Sequence, residues 1–284
     1  MNSGTREPTG RVWLITGVSS GFGQAIAEAA LATGDTVVAT ARKADALDEL
    51  VAAHPGRAVA TALDVTDPAR ITQVVAETIE RYGRIDVLVN NAGRALIGAA
   101  EETTDSELRD LMEVHFFGPA ALTRAVLPHM RARGSGTIVQ ISSLGGRLSF
   151  AGVSAYTASK FALEGLSEGV APEVAPFGIR VLIVEPGAFR TGLHGGAMQM
   201  SAELPAYADI VGPVRAQQAG FHGTAPGDPA KAAAAILAAL DSPNPPLRLA
   251  LGNDAADAIS AHLGEARREF EAWESITRGT DIDG

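Results

Sequence analysis

Six short runs rich in β-branched residues punctuate the first two thirds of the chain: Val12 to Thr16, Thr36 to Thr40, Ala58 to Ala62, Val87 to Asn90, Thr137 to Ser142 and Val181 to Glu185. Between them lie longer segments with apolar residues at helical spacing, such as Ala25 to Ala32 and Ile71 to Tyr82, each bounded by Gly, Pro, Ser or Asp. Runs that are apolar throughout, rather than alternating, suit strands buried on both faces, and a repeated strand–helix order lays such strands parallel. The pattern predicts an α/β chain built on a doubly wound parallel sheet with helices on both faces. A further apolar run, Leu247 to Leu251, would bring the sheet to about seven strands.

The pattern changes after Pro186-Gly187. Residues 188–228 are rich in Gly, Met, Ala and Gln and lack a clean period, so they are expected to form a long loop with short helices, a substrate lid. Helical spacing returns at Pro229 to Leu240, and Asp254 to Ser275 reads as a charged amphipathic helix within a C-terminal extension, 252–284. Residues 1–10 are polar and read as a leader. Nothing else divides the chain, so 11–284 is expected to be one domain. A hydrophobic content of 46% with 20% charged residues is enough for one large core.

The formal charge of −10 opposes attraction to nucleic acid and to anionic membranes. No apolar run approaches the ~18 residues of a membrane span, and a cytoplasmic location is the expectation. With no cysteine, and six histidines that show no i,i+4 pairing, no metal site is expected.

The first predicted strand runs into Thr16-Gly17-Val18-Ser19-Ser20-Gly21-Phe22-Gly23 and then a helix. Glycines there let the backbone approach a pyrophosphate, and a helix N-terminus offers free N–H groups and the positive end of its dipole. The spacing departs from the G-x-G-x-x-G fingerprint, and an ordinary strand–helix turn would look similar. The end of the second strand adds to it. Where an acid would bind a ribose 2′-hydroxyl, the chain has Arg42 and Lys43, which suit a 2′-phosphate, with Ser20 as a further donor. A surface cation at a helix start is the other reading of Arg42. The cofactor expected is NADP(H), with NAD(H) as the alternative, on a Rossmann-type fold.

Tyr156 and Lys160 stand at i,i+4 at the start of a helical pattern, where an ammonium can stabilise a phenolate. Lowering a phenol from ~10 to ~7 takes about 4 kcal/mol, which Lys160 and an oxidised nicotinamide could share. Ser142 and Ser143 end the fifth predicted strand, at the edge where open α/β sheets bind ligands. With Asp64, Asn90-Asn91-Ala92-Gly93, Pro186-Gly187 and Thr191, these residues make the sequence, over roughly residues 10 to 195, resemble the short-chain dehydrogenase/reductase family. It is similar in particular to bacterial members related to 17β-hydroxysteroid and retinol dehydrogenases.

The resemblance implies that Ser143 orients a substrate carbonyl, that Tyr156 passes the proton, and that Lys160 binds the nicotinamide ribose while lowering the tyrosine pKa. It places Gly17, Ser19, Ser20, Gly21, Phe22 and Gly23 around the pyrophosphate. Asp64 and Val65 fall at the adenine, Asn91, Ala92 and Gly93 along its ribose, and Pro186, Gly187, Phe189 and Thr191 at the carboxamide. Phe189, Leu193 and Met198 are expected to meet a medium-sized apolar ketone, unless the apolar residues of the lid are core contacts.

One departure from the family pattern falls in Val114-His115-Phe116-Phe117-Gly118-Pro119, where an asparagine is usual at 115. In the family, that residue's main-chain carbonyl holds a water in a proton relay. Pro119 lacks the N–H that would bond the carbonyl of His115, so the carbonyl is expected to be free for this role. The His115 imidazole could carry protons itself, or could be packed beside a helix kink.

The function implied is NADP(H)-dependent transfer of hydride between nicotinamide and a carbonyl or secondary alcohol, with a small-molecule substrate. The other class that fits is a non-catalytic NADP(H)-binding sensor, which would have no need of Ser143, Tyr156 and Lys160 together. By the same resemblance, the helical patterns Leu108 to Val126 and Tyr156 to Val174 would carry a homodimer or homotetramer contact.

Overall fold

The computed structural model describes residues 10–194 and 197–282. The expected leader lies, except for Gly10, outside the described residues. Seven strands, β1 Val12–Thr16, β2 Thr36–Ala41, β3 Ala58–Ala62, β4 Val87–Asn90, β6 Gly136–Ile141, β7 Ile179–Pro186 and β9 Arg248–Leu251, form one sheet in the order β3-β2-β1-β4-β6-β7-β9. Every neighbouring pair is parallel. Strand order reverses between β1 and β4, which opens a crevice at their carboxyl ends.

Alternate residues of the same strands feed two cores. Trp13, Ile15, Val37 and Val89 face helices α1 (Gly21–Ala32) and α8 (Pro229–Asp241). Leu14, Val38, Leu88 and Ile138 face α3 (Pro68–Tyr82), α5 (Gly118–Arg133) and α6 (Ser154–Val174). Continuous apolar runs are needed because both faces are covered.

Local chemistry sets the helix ends. Asp67 caps α3 by accepting the Arg70 N–H at 3.0 Å, Pro68 occupies its first turn, and Gly83 ends it at φ 73°. A capping box between Thr104 and Glu107 starts α4 (Asp105–Met112). Between α4 and α5 the chain makes a π-helical turn, Glu113–Phe117, which carries the Gly118 N–H to the carbonyl of Glu113.

Beyond β7 the chain makes an excursion whose two ends, near residues 188 and 228, meet. Phe189 and Gly227 form a bridge, with Gly227 N–H donating to Ala188 O and Arg190 N–H to Gly227 O. The excursion holds more order than its composition predicts. It contains a 13-residue helix, α7 (Ala208–Gly220), that tolerates Gly212 and Pro213, and a strand, β8 (Met198–Met200), paired with β5 (Ala95–Ile97). The C-terminal helix α9 (Asn253–Arg278) buries Ala255 and Ile259 and leaves Phe270 and Trp273 exposed. No helix among the described residues is long and apolar enough to cross a membrane.

Candidate active site

The crevice between β1 and β4 opens into a cleft of about 760 Å³ at the carboxyl ends of the strands. Gly17, Ser19, Ser20, Gly21 and Phe22 line it. Gly17 turns at φ +71°, and a Cβ there would stand 2.9 Å from the Ala92 Cα, so the position requires glycine. The turn is tied to the end of β4. Thr16 Oγ1 accepts the N–H groups of Asn91 and Ala92 at 2.9 and 3.0 Å, and Asn91 Nδ2 donates to the carbonyls of Thr16 and Gly17. Ser20 precedes α1 with its side chain unused as a cap, so it leaves the first-turn N–H groups without a capping side-chain acceptor. Gly23 is not in the cleft wall. A Cβ on it would meet Gly17 O at 2.3 Å, so its role is to let α1 close against the turn.

Arg42, Asp64 and Val65 line the adjoining end of the cleft, and Asn91, Ala92 and Gly93 line its middle. The Asp64 carboxyl lies below its usual range, first because the Thr66 N–H donates to it at 3.0 Å, then through the Thr66 hydroxyl and the charges of Arg42 and Arg94. Lys43 departs from the expectation. It is exposed and precedes the 3₁₀ turn Ala44–Leu47, outside the cleft, because the chain turns away directly after Arg42. Arg94, which also lines the cleft, carried no motif signal in the sequence.

Ser143, at the end of β6, and Tyr156 and Lys160, in the first two turns of α6, share one wall of the cleft. Ser143 Oγ accepts the Gly145 N–H at 3.1 Å, which fixes the hydroxyl. Lys160 is 6% exposed, and its Nζ donates to the Ile141 carbonyl at 2.9 Å and stands 5.9 Å from the Tyr156 ring centroid. Burial lowers the ammonium pKa to about 8. Burial also raises the Tyr156 phenol above its usual value, with the Ser143 hydroxyl pulling it back. The protein alone therefore keeps Tyr156 protonated at neutral pH, the form that donates a proton, whereas the i,i+4 spacing had suggested a lowered phenol.

His115 lies inside the π-helical turn and its ring meets Tyr156 edge-on, with centroids 5.6 Å apart. Its Nε2 accepts the Arg94 N–H at 3.2 Å and its Nδ1 lies 2.8 Å from Ser159 Oγ. Ser159 donates to the Tyr156 carbonyl at 2.6 Å, so Nδ1 carries the hydrogen and the ring is neutral. Burial, and then the charges of Lys160 and Arg94, hold its pKa well below 6.5. The imidazole is thus a packed, doubly hydrogen-bonded group, which removes the expectation of a side-chain proton carrier. In the main chain, the π turn diverts the Gly118 N–H from the Val114 carbonyl, and Pro119 has none to offer His115.

Pro186, Gly187, Phe189, Thr191 and Leu193 close the far end of the cleft. Phe189 also packs tilted against Phe22, at 5.0 Å between centroids. Met198 does not line the cleft. It packs with Ile97, Val153 and Val211 in a side core, because β8 pairs with β5 and turns that side chain away. Asp254, from the first turn of α9, accepts the Ala188 N–H at 2.7 Å and braces the Pro186-Gly187 turn, a contact spanning 66 residues that the sequence did not suggest.

A glycine turn on a helix N-terminus, a cation at the end of β2 and a Ser-Tyr-Lys wall define a dinucleotide-binding oxidoreductase of the doubly wound class. Residues 11–201 match the family model for short chain dehydrogenases. The chain belongs to the short-chain dehydrogenase family and is an oxidoreductase. It is 65% identical to a short-chain dehydrogenase from Streptomyces avermitilis of known crystal structure, with a TM-score of 0.91 over 95% of this chain and 100% of that one. A 3-ketodihydrosphingosine reductase from Bacteroides thetaiotaomicron is 37% identical, over 85% of this chain and 88% of its own length. A metagenomic short-chain oxidoreductase crystallised with NADP is 36% identical, with a TM-score of 0.60 over 66% of this chain and 85% of that one.

Proposed function

We propose that the protein is an NADP(H)-dependent reductase of medium-sized apolar ketones. The observation that carries this reading is the wall of Ser143, Tyr156 and Lys160 in the same cleft as the glycine turn and Arg42. When bound, the nicotinamide supplies the hydride that the carbonyl carbon receives. The glycine turn and the first turn of α1 would hold the pyrophosphate, and Arg42 the 2′-phosphate. Lys160 and Asn91 would hold the riboses, and Pro186 to Thr191 the carboxamide.

Ser143 would donate a hydrogen bond to the substrate oxygen, and Tyr156 would give that oxygen its phenolic proton as the carbonyl becomes a hydroxyl. Tyr156 stays protonated through neutral pH, which favours the reductive direction. Proton return to Tyr156 would pass by Lys160 and the main-chain carbonyl of His115. The His115 ring would hold this wall in place. Phe189 and Leu193 give the substrate end apolar surface, and the 3-ketodihydrosphingosine reductase among the relatives acts on a ketone by its name. Leu108, Phe117 and Phe161, all exposed on α4, the π turn and α6, support a homo-oligomer built on these helices.

NADPH oxidation by the purified protein over a panel of ketones and aldehydes, beside NADH and beside Tyr156→Phe, tests the reading. Turnover with NADPH that falls by 100-fold or more, on the order of general acid catalysis, is the expected effect of the substitution. Tight NADPH binding without turnover in either direction would overturn it.

A further inference from the structure

Lys160 carries a buried charge, yet its one hydrogen-bond acceptor among the described residues is the uncharged carbonyl of Ile141. Buried charges are tolerated when an opposite charge is near. The next turn of α6 supplies one. Glu164 lies four residues on, with its side chain 6% exposed, and its carboxylate is built into the interior from two sides. On the outer side, Arg248 of β9 holds Oε2 through Nε at 3.0 Å. The inner oxygen, Oε1, and Ser142 Oγ are both buried and have no well-aligned hydrogen bond among the described residues, although the Ser142 hydroxyl is close enough to act on the carboxylate. A Cβ on Gly146 would stand 2.5 Å from Ser142 Oγ and 3.0 Å from Glu164 Oε1, so the glycine leaves the space these two atoms share. The ammonium and the carboxylate thus meet the end of β6 at consecutive residues, Ile141 and Ser142.

Behind Glu164 the charges continue. Arg248 Nε is also 3.4 Å from Glu185 of β7, and its Nη2 is 2.6 Å from Glu168. Arg147, from the turn after β6, reaches Glu185 at 3.0 Å. Lys160, Arg147 and Arg248 balance Glu164, Glu185 and Glu168, and the ladder runs from the cleft to the sheet edge.

We propose that Glu164 is a positioning residue for the reaction, the inner rung of this ladder, and that it keeps Lys160 charged in the cleft against the cost of its burial. The proposal rests on the reductase reading, in which charged Lys160 binds the nicotinamide ribose. The groups facing Lys160 are Tyr156 and Glu164 on its own helix and His115 from the π turn. Those facing Glu164 are Lys160 and Glu168 on α6, Glu185 on β7, Arg248 on β9 and Arg147 after β6. The negative charge of Glu164 raises the Lys160 pKa against burial. Burial, with Glu185 close by, pushes the Glu164 carboxyl itself up, and the Ser142 hydroxyl and then Arg248 pull it back, so the rung depends in part on Arg248 to remain ionised.

The test is the pH dependence, from 6 to 9.5, of NADPH affinity by nucleotide fluorescence and of kcat/KM for a ketone substrate. In the wild type both fall as Lys160 loses its proton near pH 8. E164Q moves this limb to lower pH by about one unit or more. E164D retains the wild-type limb, and R248M moves it in the same direction as E164Q. A merely structural role for Glu164 would lower the melting temperature and leave the limb in place. Folded E164Q or R248M with the wild-type limb would overturn the proposal. Because R248M leaves Glu164 itself unaltered, it decides the matter if E164Q does not fold. Normal NADPH binding with an unmoved limb removes this inference alone, whereas a wild type that binds neither NADPH nor NADH at any pH removes the reductase reading with it.

Discussion

The His115 imidazole is hydrogen-bonded at 2.8 Å to Ser159, whose hydroxyl is in turn bonded to the main chain of Tyr156. The histidine is therefore a brace for the tyrosine, and it holds this place only while neutral. Its folded pKa is depressed below 6.5, first by burial, so the unfolded chain binds a proton that the folded chain refuses. The resulting stability is fully present above about pH 6.5 and is lost as pH falls below it, by up to about 1.4 kcal/mol per pH unit. Urea unfolding at pH 7.0 and 5.5 should show a larger drop in the wild type than in His115→Asn. Equal drops would mean that the ring is already charged in the folded protein.

A second prediction separates the histidine's ring from its carbonyl. His115→Asn keeps the main chain and Pro119, and should hold kcat within about 10-fold of the wild type, the loss coming from a less firmly braced Tyr156. Pro119→Ala restores an N–H that can close an α-helical bond to the carbonyl of residue 115. It should lower kcat more than His115→Asn does, with little change in NADPH affinity. If Pro119→Ala leaves the steady-state kcat untouched, the carbonyl has no part in proton return.

Arg42 should decide the cofactor. Charge-assisted hydrogen bonds to a phosphate contribute about 1.5–3 kcal/mol, so Arg42→Ala should weaken NADPH by roughly 10- to 160-fold and NADH by no more than about 3-fold. Titration of both nucleotides by intrinsic fluorescence gives the ratio. A parallel loss for both would assign Arg42 to a general role at the cleft mouth.

These predictions fall on residues of unequal legibility. The sheet could be read from the chain because parallel strands buried on both faces leave unbroken β-branched runs, and β4 begins and ends at the residues expected. Helix α7 escaped notice because Gly212 and Pro213 break its pattern, and β5 and β8 are three residues each, too short to show a period. In the cleft, residues carried by contiguous motifs, such as the glycine turn and Tyr156 with Lys160, were legible. Ser159, Asp254 and Glu164 act across separations of 44, 66 and 84 residues, where only packing decides who meets whom. Met198 and Leu193 looked alike as apolar residues of one excursion. The pairing of β8 with β5 packed the first, half-buried, against a side core and left the second in the cleft.

The last prediction concerns that excursion. Arg215 of α7 donates to Glu102 at 2.8 Å and to the Ser201 carbonyl at 3.0 Å, and both charged side chains are buried. Glu102 also accepts the N–H groups of Leu204 and Ala99, and these, Leu204 first, hold its carboxyl below the usual range. One carboxylate thus joins the segment after β5, the stretch after β8 and α7. Because its folded pKa is depressed, the clamp is complete at neutral pH and loosens only in acid. Arg215→Ala leaves the carboxylate with main-chain donors alone and frees α7 to move. Limited proteolysis within residues 197–225 should quicken, and KM for the ketone should rise several-fold while kcat stays within about 3-fold, as expected for a segment that shapes the substrate end and leaves the proton donor in place. Exchanging both partners for uncharged side chains, Glu102→Gln with Arg215→Met, should recover part of the loss, since the single substitution strands a buried charge and the double one does not. Unchanged proteolysis in Arg215→Ala would show that the β5–β8 pairing alone secures the excursion.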